Sequence, residues 1–550
     1  MTRGATTFLA VVTAGILSAC SPAVVPAPAP TTSTPTQDPV PLLPSATPSA
    51  TTLPTETPIP VEPSAVSAQP PFGTLTAGPM PTVPPLAPGA QPPLGSAQPS
   101  FGTSTPTGAP TPAPTPAAPG VSVHAGEMAL PTYPYRDFLR TEQDSLYGLP
   151  IQRLDRAAYE AASPIPLPRS YQTLVVENDY LRLTFLPELG GRLYSAVVKS
   201  TGQEIFYHNA VVKPSRYGPL LPIEDNWWLA VGGMEWAFPV QEHGYAWGRP
   251  WTYQTASSAA GLTVTLRDSA ESGRVSAQVQ VFLPARGAAF TLQPRLVNGT
   301  DHTVPVQFWV DAVLAPGSPS ATANMRFIVP VNQVVVHSRG EQGWSLPAPR
   351  LPMPWPVVAG RDLSHYNQWG DYLGFFAPYL PANFMAVYNP DADLSIARVV
   401  APGKTPGNKL FAFGLKFGDR SYTDDNSQYI EMWGGANSSF WPEDDIQLAP
   451  GDVVQWHETW WPLAGLGGLT QANDRVAINL VAGPAVRILS AQPERATLLF
   501  STDEAELSRE SIALSPAQPV ERPIPTSKGS AVRIQVVAAD GSVMADYQTQ

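Results

Sequence analysis

The sequence predicts an all-β protein: a large two-sheet antiparallel sandwich, then a small C-terminal β-sandwich, both behind a disordered proline-rich segment. Three observations predict it. Segments such as 173–186 (TLVVENDYLRLTFL), 193–200 (LYSAVVKS), 261–268 (GLTVTLRD), 274–283 (RVSAQVQVFL), 290–298 (FTLQPRLVN) and 304–314 (VPVQFWVDAVL) alternate apolar and polar residues, the period of a half-buried strand. Gly, Pro, Asn and Asp turns separate them, and the 3.6-residue period of an amphipathic helix is nearly absent. Strands that follow one another without helices between them build antiparallel sheets, and roughly 300 residues of them exceed one immunoglobulin-sized sandwich.

The elements run in order along the 550 residues. Residues 1–19 read as an export signal: Arg3, an apolar or small stretch over 5–17, then Leu17-Ser18-Ala19-Cys20. The apolar stretch is too short to span a bilayer. LSAC resembles the bacterial lipobox, which implies that Cys20 is lipidated and becomes the new N-terminus. The resemblance implies a membrane partner through Cys20 and a place on the cell membrane, facing the extracellular or cell-wall side. Cys20 is the only cysteine, so no disulfide forms within the chain. Residues 20–125 read as a disordered linker. Residues 21–120 hold 29 of the 66 prolines, and no Lys or Arg occurs between Arg3 and Arg136. Such a segment buries too little apolar surface to offset its chain entropy, and proline keeps it extended.

Residues 126–170 read as a lead-in, with folding beginning near Pro131 and one short helix over 154–162. Residues 171–474 form the large sandwich. From 475 to 550 short strands (VAINL, AVRIL, ATLLFS, AVRIQVV) and a DGS turn predict the small sandwich.

Composition then removes whole classes of function. A formal net charge of −12 argues against nucleic acid, which calls for a basic footprint. No phosphate-binding glycine loop and no GxSxG elbow occurs, and no cofactor is implied. The seven histidines never pair at metal-ligand spacing. No metal is expected unless distant strands assemble a site.

What remains is aromatic rings interleaved with carboxylates. Residues 232–251, GGMEWAFPVQEHGYAWGRPW, hold Trp236, Phe238, Tyr245, Trp247 and Trp251 beside Glu235, Glu242, His243 and Arg249. Sugars offer apolar C–H faces to flat rings and a hydroxyl rim to carboxylates, amides and guanidinium groups. Most tryptophans in β proteins are core residues, so only rings beside charges carry a functional expectation.

Three stretches carry a family resemblance. VENDYLRLTFLPELGGRLYSAVVKSTGQEIFYHN (176–209) resembles the first strands of galactose-mutarotase-like domains. GGMEWAFPVQEHGYAWGRPW resembles the hexose-phosphate epimerase stretch that leads to HGFAR and a Trp. EMWGGANSSFWPEDDIQLAPGDVVQWHETWWPL (431–463) resembles the end of that superfamily. The whole pattern is closest to an uncharacterised mutarotase-like family often joined to tetratricopeptide repeats, and it covers about 171–480. The resemblance implies a β-supersandwich with a carbohydrate cleft. It implies Glu431 as the base, 19 residues before Pro450, and His243 as a catalytic histidine. The family's acid histidine is absent: the expected place holds Trp309, Val310 and Asp311. Asp311 acts as the acid only if burial or a neighbouring carboxylate raises its pKa.

Glu235, Arg192, Arg249, Trp251, Trp309 and Trp433 are the expected sugar-binding residues. Arg192 and Arg249 have a second role open to them, pairing with Glu235 or Glu431. Lys409, in GNKLFAFG, reads as a surface lysine. The first functional expectation is a glycan-binding module, because the acid histidine is missing. The alternative is a carbohydrate-active enzyme: an aldose epimerase, or more remotely a glycosidase or lyase using Glu235 and Glu431 as a carboxylate pair. A third is an envelope-organising protein with a degenerate site.

Overall fold

The computed structural model describes residues 120–220, 226–341, 344–401, 407–415, 421–526 and 530–549. The leader, Cys20 and nearly all of the proline-rich segment lie outside these residues.

Period-two alternation becomes two large sheets, one of thirteen strands and one of nine among the described residues. Five neighbouring strands of the larger sheet build the site. In spatial order they are Trp228–Ala237, Trp309–Leu314, Ile430–Gly435, Gly407–Ala412 and Leu373–Phe376, all antiparallel. Alternation sorts their side chains between two faces. Trp236, Val310, Met432, Leu410 and Phe375 enter the main core, with Val279, Leu292, Ile396 and Trp460 of the second sheet. Each such side chain contributes roughly 1.5–3 kcal/mol by leaving water. The residues between them point the other way, and that face holds the candidate site.

One irregularity decides which residues reach it. Gly232 and Gly233 take φ values of +92° and +75°, and the ladder to His208–Ser215 slips between His208 and Lys213. A Cβ at Gly232 would lie 2.1 Å from the Tyr207 carbonyl oxygen, so only glycine fits. Trp228 and Glu235 are seven apart and would face opposite sides of a regular strand. The bulge puts them together, and Trp228 Nε1 donates to both Glu235 oxygens at 3.1 Å.

The lead-in begins earlier than Pro131. Strand Ser122–Thr132 pairs along its whole length with Leu167–Glu177. It starts inside the segment expected to be linker. Its half-exposed faces leave only a weak apolar alternation, which hid it in the sequence. The expected helix is present as Arg156–Ala162, with the Asp155 side chain accepting from the Ala158 amide at 3.1 Å.

The C-terminal region is a sandwich of two four-stranded sheets around Ile478, Ile488, Leu498, Ile534 and Val536. Its first strand, Gln471–Ala472, lies just before the expected boundary at 475. Trp461, Leu463, Leu466, Ala477 and Leu489 form one apolar cluster across the junction, so the two sandwiches pack directly together.

Candidate functional site

Strand register sets Glu235, Asp311, Trp433, Lys409 and Phe376 in one transverse row across the five strands. The next row on the same face holds Val313, Glu431 and Phe411. Glu235 and Asp311 are thus directly opposed carboxyls, both buried. Like charges in that position destabilise a sheet, and the two residues resolve the conflict in opposite ways.

Glu235 stays ionised. Its Oε2 accepts from Arg192 Nη2 at 3.1 Å, and its Oε1 lies 2.6 Å from His243 Nδ1. Burial pushes its carboxyl up, but His243, Arg192 and Trp228 together hold it below the ordinary range. Arg192 is itself locked by the Leu189 and Gly232 carbonyl oxygens at 3.0 and 2.8 Å. Asp311 is the reverse. Neither of its oxygens has a hydrogen-bond partner. Burial, then Glu431 and Glu235, push its pKa well above the ordinary value. It is a buried carboxylic acid.

His243 stacks on Trp228, ring centres 4.1 Å apart. Its Nδ1 is bound to Glu235, and His243 also lines a cleft of about 300 Å³. Trp228, Glu431, Trp433 and Lys409 line this cleft, and Tyr217, Tyr422, Phe411 and Phe413 ring it. Glu431 Oε2 accepts from Trp433 Nε1 at 3.0 Å and lies 3.9 Å from Lys409 Nζ. Burial raises the Glu431 pKa against the opposing pull of Lys409 and His243. A carboxylate biased toward taking a proton and a carboxylate-held histidine on one cleft are the parts that general acid–base chemistry calls for.

The structure therefore brings Glu431, His243, Glu235, Asp311, Arg192 and Trp433 into one cluster. Only His243, Glu431 and Trp433 of these line the cleft; Arg192, Glu235 and Asp311 lie beneath it. Three expected wall residues lie elsewhere. Trp251 is packed in the main core against Gly191 and Phe238. Arg249 reaches toward the Pro150 carbonyl oxygen at 3.5 Å. Trp309 packs on Phe440, and its Nε1 donates to Gln307 at 2.9 Å. The turn after Phe238 carries residues 244–251 back over the first strands, so chain proximity to Glu235 did not become spatial proximity.

Sequence reasoning missed Lys409, Trp228 and His337. Lys409 is buried, not a surface residue, with its Nζ 4.4, 4.9 and 5.2 Å from the ring centres of Trp433, Phe440 and Phe411. Its signal was the alternation of KLFA, which places Lys409 and Phe411 on one face and Leu410 on the other.

Glu235, His243 and Asp311 offer ligand atoms within 4.8 Å of one another, a spacing that a metal ion requires. They do not fit one. Each Glu235 oxygen already accepts two hydrogen bonds, and a 2.6 Å contact to His243 leaves no room for an ion between them. Glu235 and His243 form a hydrogen-bonded pair, and Asp311 stands outside it.

The domain family described as a domain of unknown function, DUF5107, matches residues 154–463, more than half of the chain. The chain belongs to the DUF5107 family. Its DUF5107 domain contains every residue of the cleft. The crystal structure of a TPR-domain containing protein from Parabacteroides distasonis is 21% identical, with a TM-score of 0.50 over 63% of this chain and 56% of that one. The two share a fold, and this chain spans little more than half of that protein's length. A galactose mutarotase-like protein from Lactobacillus casei is 13% identical over 53% of this chain and 99% of its own, with a TM-score of 0.33.

Proposed function

We propose that the DUF5107 domain is a carbohydrate-active domain whose cleft moves protons at the ring of a sugar, in the manner of an aldose epimerase. The observation that carries this is the relay Arg192–Glu235–His243 ending at the same cleft as Glu431. Burying charges costs several kcal/mol per ion, and a passive stacking surface has no need of it. The motif order that resembles galactose-mutarotase-like domains supports the same reading.

In this scheme the sugar lies against Trp228 and Trp433. Glu431 takes the proton of the anomeric hydroxyl, and His243 gives a proton to the ring oxygen. The bond from the anomeric carbon to the ring oxygen breaks, and the anomeric carbon–oxygen bond becomes a carbonyl. Rotation and reclosure on the other face return both protons. Glu235, 2.6 Å from Nδ1, fixes the ring and balances the imidazolium before it donates. Asp311 takes no part as the acid, because it lies outside the cleft. The family's acid histidine is also missing at that position, which favours a second reading, a sugar-binding module. Under either reading a lipid on Cys20 and the proline-rich segment hold the domain off the outer face of a membrane. The leader pattern supports this part of the proposal.

The test is anomer exchange, followed by NMR or polarimetry over a panel of free aldoses. The wild-type protein speeds exchange of at least one aldose. Glu431→Gln lowers that rate by about 10²- to 10⁴-fold with the fold intact. Binding without faster exchange leaves the module, and a folded protein showing neither overturns the sugar site.

A further inference from the structure

Lys409 is the one lysine or arginine lining the cleft among the described residues. Three aromatic faces surround its ammonium group. Such faces favour the charged form, although burial lowers its pKa. An ammonium group carries three donors. The nearest carboxylate oxygen, on Glu431, is 3.9 Å away, beyond hydrogen-bond reach. His337 and Ser338 line the cleft with it. His337 is half-buried with a buried, unpartnered Nδ1, and desolvation, with Lys409 adding to it, lowers its pKa to about 3, so it stays neutral. This end of the cleft thus holds one desolvated positive charge, with neutral His337 and Ser338 beside it and the carboxyl groups of Glu431 and Glu242 on the same lining.

Glu431 balances Lys409 only while it is ionised. When it takes the anomeric proton, the buried ammonium group loses its nearest counter-charge. A fixed anion on the substrate would keep it compensated throughout the turnover. A single cation on the lining matches one negative charge, whereas phosphate recognition usually draws on several cationic or backbone donors.

We infer that the cleft selects sugars bearing a carboxylate, uronic acids or glycan ends that carry them, with Lys409 as the residue that binds the carboxylate. This rests on the sugar-site reading above. Calorimetry on the full chain compares glucose with glucuronate, galactose with galacturonate, and both with glucose 6-phosphate. At least one uronate binds ten-fold or more tightly than its neutral partner and more tightly than the phosphate. Lys409→Met removes the preference, so that the uronate binds no more tightly than its neutral partner. The comparison on wild-type protein stands even if the variant fails to fold. Equal or weaker uronate binding overturns the carboxylate assignment and leaves the sugar site standing, as does a preference for the phosphate. Binding of none of these sugars overturns both.

Discussion

Asp311→Asn isolates the least expected feature of the site, a buried carboxyl facing another across the ladder. Asp311 is wholly buried, its two oxygens lack donors, and Glu431 and Glu235 press on it. Its pKa is raised in the folded chain. An unfolded aspartate loses its proton near pH 4, while the folded protein retains one. Across that interval the native state binds one more proton than the unfolded state, so stability falls as pH rises. The slope for one proton is about 1.4 kcal/mol per pH unit. Asparagine has nearly the same shape, cannot ionise and offers an N–H₂ to the neighbouring carboxylates. The stability of Asp311→Asn relative to wild type therefore grows with pH, by up to about 1.4 kcal/mol per pH unit for as long as Asp311 keeps its proton. Guanidinium unfolding of both proteins at pH 5, 6 and 7 measures it. A difference that stays flat or shrinks toward pH 7 refutes the buried-acid assignment.

Gly232→Ala places a Cβ 2.1 Å from the Tyr207 carbonyl oxygen at a φ of +92°, and it is expected to cost more than about 2 kcal/mol. Thermal melting checks it; an unchanged midpoint would mean that the bulge is not needed to join Trp228 to Glu235. At the other end of the chain, Cys20→Ala is expected to abolish incorporation of labelled palmitate and release the protein to the medium, whereas unlabelled wild-type protein would rule out the anchor.

The sequence by itself determined the architecture and pointed to several of the charged groups that gather at the cleft. Period-two alternation is a local property: each strand records which of its faces meets the core, and 261–268, 274–283 and 290–298 needed nothing else. Glu235 and Glu431 were legible because charged groups inside an apolar frame such as GGMEW or YIEMW are costly to keep unless they are paired or used, whereas His243 was legible only through the resemblance of its stretch to the epimerase motif. Tertiary structure decided partnership. Whether Arg192 touches sugar or braces Glu235 depends on a bulge at Gly232, and whether Asp311 is an acid in the cleft or a neutral group beneath it depends on register with two other strands. Lys409 could be recognised as buried only once Trp433, Phe440 and Phe411 had closed around it, and Trp251 as core only once the chain had turned back over Gly191. Strand pairing joins residues more than a hundred positions apart, and one residue of slip would send each to the other face. The composition of the site was therefore written locally, and its chemistry was set by contacts between distant strands.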